Sequence, residues 1–111
     1  MAEDGPEHFE QVDMRLGQIV AAEPFPEARK PAIKLTIDFG PLGIHQSSAQ
    51  LTAHYTPKSL VGRLVIGVLS LPPRRIAGFK SEVLVLGVPD ADGEVVLLEP
   101  ERAAPLGGRV F

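Results

Sequence analysis

Three cations lie within seven residues at Arg74, Arg75 and Lys80, the densest positive charge in the chain. Prolines immediately before them cannot donate to a β-ladder, so the strand that enters this segment should end at Pro72. The pattern predicts a stiff cationic loop, and guanidinium and ammonium groups on such a loop can bind phosphate groups. The alternative is a solvated hairpin whose charges only keep the edge of a sheet soluble. The local pattern favours neither interpretation.

Other residue types capable of chemistry do not form a recognisable active site. Ser47 and Ser48 could supply a nucleophile, but no histidine or acid stands in a catalytic relation to them. The chain has no cysteine, which excludes disulfides, zinc-thiolate sites and thiol catalysis. Its histidines show no metal-ligand spacing: His8, His45 and His54. We therefore expect a binding module rather than an enzyme, with no cofactor and no metal.

The charge is distributed unevenly along the chain. Residues 14–81 hold nine Lys and Arg against three acids, a local charge of +6, whereas the whole chain carries −3. This segregation predicts a basic face and an anionic partner. The alternative is that folding mixes the two sets of charges over the surface.

Length and composition limit the architecture. A chain of 111 residues with 44% apolar residues is typical of one globular domain, and a domain of this size often gains stability by oligomerising. No apolar run approaches the length of a membrane span, and the acidic first residues do not resemble a signal peptide. We expect a cytoplasmic protein.

The apolar pattern predicts strands that would position the cations. Residues 33–39 alternate strictly, which indicates one buried face and places Lys34 on the open face. Residues 13–22 read as a strand whose facing changes at Gly17, which is typical of a β-bulge. The runs 64–71 and 83–88, on either side of the cationic segment, read as buried strands.

These elements predict an all-β fold. Five short strands, a bulged first strand and helical turns between the third and fourth strands fit a small OB-type barrel over residues 13–111. Residues 1–12 should form an N-terminal helical arm, and the apolar end of the tail, Val110 and Phe111, should be docked. The runs 64–71 and 83–88 are apolar on both faces, which favours a homodimer over cover by the short helices.

Several motifs in their order along the chain resemble those of the tRNA-binding-domain family. The resemblance covers residues 9–111 and rests on these segments: Gln46-Ser47-Ser48-Ala49-Gln50, Tyr55, Pro57, Leu60-Val61-Gly62-Arg63, Pro73-Arg74-Arg75-Ile76-Ala77-Gly78 and Ser81-Glu82. It implies an OB-fold homodimer that binds tRNA. For some members it also implies an export-related chaperone that binds unfolded or preprotein polypeptide.

The resemblance and the charge pattern together select candidate RNA-binding residues. Arg74-Arg75 matches the family's basic element, Ser81 begins its Ser-Glu pair, and Lys30 falls where relatives carry a lysine. The complete set is Lys30, Lys34, Arg74, Arg75, Lys80 and Ser81. Val83 and Leu84 depart from the Gly-Met that commonly follows the Ser-Glu pair in synthetase-type domains. Aromatic residues make up only 5%, which disfavours a stacking platform for single strands and favours folded RNA.

A second hypothesis is peptide binding at apolar surface near a dimer seam. Its candidate lining residues are Phe25, Phe79 and Leu84. The alternative for each is a place in the core. Salt separates the two functions, because RNA binding weakens steeply as salt rises and apolar peptide binding barely changes.

Overall fold

The structure, a computed structural model, describes Phe9 and residues 11–111. The predicted helical arm over residues 1–12 lies largely outside the described residues; Phe9 and Val12 are exposed. No helix among the described residues is long and apolar enough to span a membrane. The elements are β1 (Met14–Pro24), β2 (Ile33–Asp38), a 3-10 helix (Gly40–Leu42), β3 (Ile44–Ala49), α1 (Pro57–Leu60), β4 (Leu64–Val68), β5 (Arg74–Ile76), β6 (Phe79–Ser81), β7 (Leu84–Val85), β8 (Gly87–Pro89) and β9 (Val95–Leu97).

Five strands form one antiparallel sheet in the order β3-β2-β1-β4-β7. The sheet curls until its two ends almost meet. At the seam, the backbone N–H of Glu82 donates to the carbonyl of Gln46 at 2.8 Å, and the N–H of Gln46 donates to the Glu82 carboxylate at 2.9 Å. The fold is therefore the predicted all-β barrel of OB type, nearly closed, with separate β5–β6 and β8–β9 hairpins.

The alternating segment of β2 supplies much of the core. Ile33, Leu35, Ile37 and Phe39 are all buried, whereas Lys34 and the other intervening residues are only half-buried. The prediction of one core face and one open face is confirmed. It puts the Lys34 side chain on the outside of the barrel.

The bulge in β1 exists, but not at Gly17. The register to β2 shifts between Ile19 and Ala21, so the residue between them is the extra one. Gly17 is required for another reason, because an added Cβ would lie 2.6 Å from Ile37 Cγ2 and 2.7 Å from Phe39 Cε1. The sequence pattern assigned two separate features to Gly17: close packing at the glycine itself and a bulge three residues later.

A short helical connection covers one end of the barrel. The Thr56 hydroxyl accepts from the Ser59 N–H at 3.2 Å, and the Ser59 hydroxyl accepts from the Thr56 N–H at 3.0 Å, which forms the capping box of α1. Leu51 and Leu60 are buried in the core. The cations between β4 and β7 lie on a separate element, the β5–β6 hairpin.

The apolar runs beside that hairpin form shorter strands than expected. β4 ends at Val68, and the second run divides into β7 and β8. Leu86 marks the division, since its N–H donates to Ile66 O at 2.9 Å while its carbonyl accepts from Leu98 N at 3.2 Å. The chain passes there from pairing with β4 to pairing near β9.

The tail pairs with the first residues of β1, along the edge that β2 leaves free. Leu16 N donates to Gly108 O at 2.9 Å, and Val110 N donates to Met14 O at 2.9 Å. Backbone docking of the tail is therefore confirmed up to Val110. The prediction is wrong for Phe111, whose side chain is fully exposed, because the pairing ends one residue before it.

Candidate functional site

The cationic segment is a two-stranded hairpin. Arg75 stands opposite Lys80, and Arg74 stands opposite Ser81. Since side chains alternate across a strand, Arg75 and Lys80 share one face, and Arg74 and Ser81 share the other face with the half-buried Phe79. The segment predicted to be a loop is therefore an ordered hairpin, a two-stranded ribbon. Arg75 and Lys80 point outward, and the opposite face anchors the hairpin.

The hairpin turn is chemically specified. Ala77 and Gly78 both have positive φ, 47° and 81°, as a two-residue turn between twisted strands requires. An Arg75 guanidinium nitrogen donates to the Gly78 carbonyl at 3.3 Å. The turn therefore holds the tip of the ribbon in a fixed shape and restrains Arg75.

The cations of the hairpin are exposed and have no carboxylate within 4.0 Å among the described residues. Arg15 and Arg63 differ, because they pair with Asp13 at 2.6 Å and Glu99 at 3.2 Å. In the described part of the chain the same lack of a carboxylate partner holds for seven of the nine cations of residues 14–81: Arg29, Lys30, Lys34, Lys58, Arg74, Arg75 and Lys80.

Two like charges directly opposite each other destabilise a hairpin. The Arg75–Lys80 pair is such an arrangement, and within the described chain neither side chain has an acidic partner. An anion bound to this face would relieve the repulsion. The electrostatics of the ribbon therefore suit a phosphate-bearing ligand.

Lys34 lies beside the hairpin and is held by two aromatic rings. Its ammonium nitrogen is 4.7 Å from the Phe25 ring centroid and 5.0 Å from that of Phe79. The two rings meet edge to face with centroids 5.4 Å apart. Such a cation–π arrangement fixes a positive charge without neutralising it.

This cluster joins three elements that are distant in sequence. Phe25 follows β1, Lys34 lies on β2 and Phe79 lies on β6. Phe25 is only 2% exposed, so it forms the floor under Lys34 and does not line the surface. Lys30, another of the candidate RNA-binding residues, is exposed and lies in the same loop as Phe25.

Ser81 anchors the hairpin to β3. Its hydroxyl accepts from the Ser48 N–H at 3.1 Å, and the neighbouring Ser47 hydroxyl, itself buried, donates to Val83 O at 2.7 Å. The side-chain oxygens of Ser81 and Glu82 therefore accept hydrogen bonds from backbone N–H groups of β3, where the backbone carbonyls of a paired strand would otherwise do so. This use of the Ser-Glu pair is structural, and it positions the cations that precede it.

Leu84 borders an apolar groove at the base of the hairpin, beside the Arg74–Ser81 pair. The groove has a volume of about 380 Å³ and is lined by Leu71, Pro72, Pro73, Arg74, Ser81, Glu82, Val83 and Leu84. Leu84 is 51% exposed. Of the three peptide-binding candidates, Leu84 lines accessible surface, Phe79 is half-buried and Phe25 belongs to the core.

Sequence reasoning missed Gln46, Thr36 and Glu23 as residues of this surface. The Gln46 amide nitrogen donates to Lys80 O at 2.9 Å, and all three side chains line a hollow beside Phe79. The alternation of β2 put Thr36 on the open face with Lys34, so that signal was available. Glu23 follows the predicted first strand, residues 13–22, and no sequence pattern marked it.

The described residues contain no group of three or more potential metal ligands. The His54 ring Nε2 donates to the Asp90 carboxylate at 2.6 Å. This hydrogen bond, with N–H groups of the Asp90 turn, lowers the pKa of Asp90. The pair fastens the turn before β9 to the connection before α1.

Comparison with known proteins gives a consistent result. A family model described as "Putative tRNA binding domain" matches residues 14–109. Methionine–tRNA ligase 1 of Sorangium cellulosum is 42% identical over 102 residues, which are 92% of this chain and 14% of that protein. The chain spans only 13–16% of the length of the methionine–tRNA ligases that it matches.

Solved structures share the whole fold. The chaperone CsaA of Bacillus anthracis strain Ames is 54% identical with a TM-score of 0.88, and the match covers 95% of this chain and 96% of that one. The CsaA chaperone protein of Picrophilus torridus is 43% identical with a TM-score of 0.87, with 95% and 96% covered.

Proposed function

The chain belongs to the tRNA-binding domain family, and we propose from this that it binds tRNA or a similarly folded RNA through the β5–β6 hairpin. The observation that carries the proposal is the Arg75–Lys80 pair, which is exposed and has no acidic partner within the described chain. The pair would contact phosphates and orient the RNA, while the shape of the folded RNA would supply selectivity.

Further cations extend the proposed surface from the hairpin to the first loop. Lys34, fixed between Phe25 and Phe79, would offer a preorganised charge. Lys30 would add one from the loop between β1 and β2. In OB-folds the face of the second and third strands, with the two flanking loops, is where oligonucleotides bind.

Fluorescence anisotropy with labelled RNA tests this function. A tRNA transcript should bind more tightly than an unstructured RNA of equal length and base composition at the same salt concentration. Equal affinity for both would contradict recognition of folded RNA. If neither RNA binds, the proposed RNA-binding function is wrong.

We also propose that a second copy of the chain covers the outer face of β4, β8 and β9. Exposed and half-buried aliphatic residues lie on or directly beside these strands; this aliphatic face comprises Leu64, Ile66, Leu86, Val88, Val96 and Leu98. Exposed aliphatic side chains in this number on a small domain are typical of an interface. The cytoplasm, where tRNA resides, is the proposed compartment.

Sedimentation velocity with two charge variants tests the dimer. Val88→Glu, on the aliphatic face directly opposite Val96, should shift a dimer to a monomer. Ile44→Glu changes an exposed aliphatic residue of β3, outside the aliphatic face, and should leave the dimer intact. A monomeric parent chain would contradict the proposal.

The second candidate function is that of an export-related chaperone for unfolded or preprotein polypeptide. Its support is the apolar groove beside Leu84, together with the CsaA chaperones that share the fold. An unfolded apolar peptide should bind with little dependence on salt, and Leu84→Asp should abolish that binding. Salt-sensitive peptide binding that survives Leu84→Asp would exclude the groove.

A further inference from the structure

The outer face of β1, β2 and β3 carries a hollow of about 210 Å³ beside β6. It is smaller than the pockets of roughly 300–1,000 Å³ that hold drug-sized ligands, so it suits one ring system and not a peptide. Its lining includes Ala21, Glu23, Lys34, Thr36, Gln46 and Phe79.

Strand pairing holds the lining rigidly. Glu23 is the cross-strand partner of Lys34, and Thr36 is that of both Ala21 and Gln46. The small side chain of Ala21, directly after the β1 bulge, leaves the space open. A site built on three paired strands keeps its geometry better than one built on loops.

Most polar groups of this hollow have no hydrogen-bond or ion-pair partner among the described residues. Across the described chain, the Thr36 hydroxyl has no hydrogen bond and the Glu23 carboxylate has no cation within 4.0 Å. Gln46 uses one amide N–H on Lys80 O and keeps its carbonyl. The Lys34 ammonium lies over two aromatic rings and has no hydrogen bond or carboxylate partner within the described residues. The hollow therefore offers acceptors and a charged donor together.

We propose that this hollow binds one unpaired nucleobase, with guanine favoured, an inference that rests on the proposed RNA-binding function. A phosphate is disfavoured there by the carboxylate of Glu23. The two adjacent N–H groups on the guanine edge match that carboxylate, and O6 matches the Lys34 ammonium. Arg75 and Lys80, on the adjoining hairpin, would hold the phosphates next to that nucleotide.

Amide NMR titrations with GMP, AMP, CMP, UMP and inorganic phosphate test the site. GMP should shift the amides of residues 21–23, 36 and 46, whereas phosphate should shift only those of the hairpin. Glu23→Gln should weaken GMP binding about tenfold, the value of one bidentate base contact, and leave phosphate binding unchanged. Glu27→Gln, an exposed acid outside the hollow, is the matched control.

Two results would overturn the proposal. One is that all four nucleotides shift only the amides that phosphate shifts. The other is that Glu23→Gln and Glu27→Gln bind GMP with equal affinity. The first would show that only phosphate is recognised, and the second that the carboxylate does not read the base.

Anisotropy with a tRNA transcript on the same samples separates this inference from the proposed function. If tRNA binds and GMP fails to reach the hollow, only the base site is wrong. If GMP binds in the hollow and tRNA does not bind, the base site stands and the proposed function is wrong.

Discussion

Removing the outward cationic pair of the hairpin should lower the salt dependence of RNA binding. The double substitution of Arg75→Ala and Lys80→Ala deletes two exposed charges that share one face of the ribbon. Each lost phosphate contact reduces the slope of log K against log salt by about 0.7–0.9, so two contacts reduce it by about 1.4–1.8. Between 50 and 200 mM salt, the parent protein should therefore lose roughly seven- to twelvefold more affinity than the variant.

The assay is fluorescence anisotropy with a labelled tRNA transcript at four or more salt concentrations. Folding should be unaffected, since the hairpin is anchored through its other face. Among the described residues, the only side-chain hydrogen bond lost is that from Arg75 to Gly78 O at 3.3 Å. The matched control is Lys58→Ala with Arg102→Ala, which removes the same net charge from α1 and from the exposed Arg102–Glu101 pair.

The control variant should keep the parent slope. An unchanged slope in the hairpin variant would refute phosphate contact by Arg75 and Lys80. Equal losses in both double variants would attribute the effect to net charge and not to the hairpin.

Three further predictions concern the support of the site. Gly17→Ala should destabilise the fold by about 1–3 kcal/mol in urea denaturation, because the new methyl group overpacks the core; an unchanged midpoint would contradict this packing. Ser47→Ala should cost about 1–3 kcal/mol, since the buried carbonyl of Val83 loses its donor, and a neutral result would mean that the seam does not depend on it. The lowered pKa of Asp90 implies stability that is present above its unfolded pKa and lost as pH falls through the folded value. Thermal melts from pH 7 to pH 2 should therefore show a smaller acid-induced loss of stability for Asp90→Asn than for the parent, and equal losses would contradict it.

The barrel could be predicted from the sequence because its strongest signals are local. Strict alternation over residues 33–39 predicted β2. Helical turns were expected between the third and fourth strands, where α1 lies. The bulge was placed three residues too early, because a buried glycine and an added residue both change the apparent facing of a strand. Sequence pattern alone does not distinguish these two causes.

The site was less accessible to sequence reasoning because its contacts join distant segments. The Phe25 ring meets Phe79 and Lys34 only after three elements have packed together. No periodicity marks Phe25, which stands between two prolines and still lies in the core. The structural use of Ser81 also depends on β3 reaching the seam, and a local motif carries no information about that.

The outward face of the hairpin is proposed to contact the sugar-phosphate chain of a folded RNA. Amide NMR of the labelled protein with a tRNA transcript measures this contact residue by residue. Signals of residues 29–34 and 74–81 should shift or broaden first. Perturbation centred on α1 and residues 99–103, with the hairpin unchanged, would contradict it.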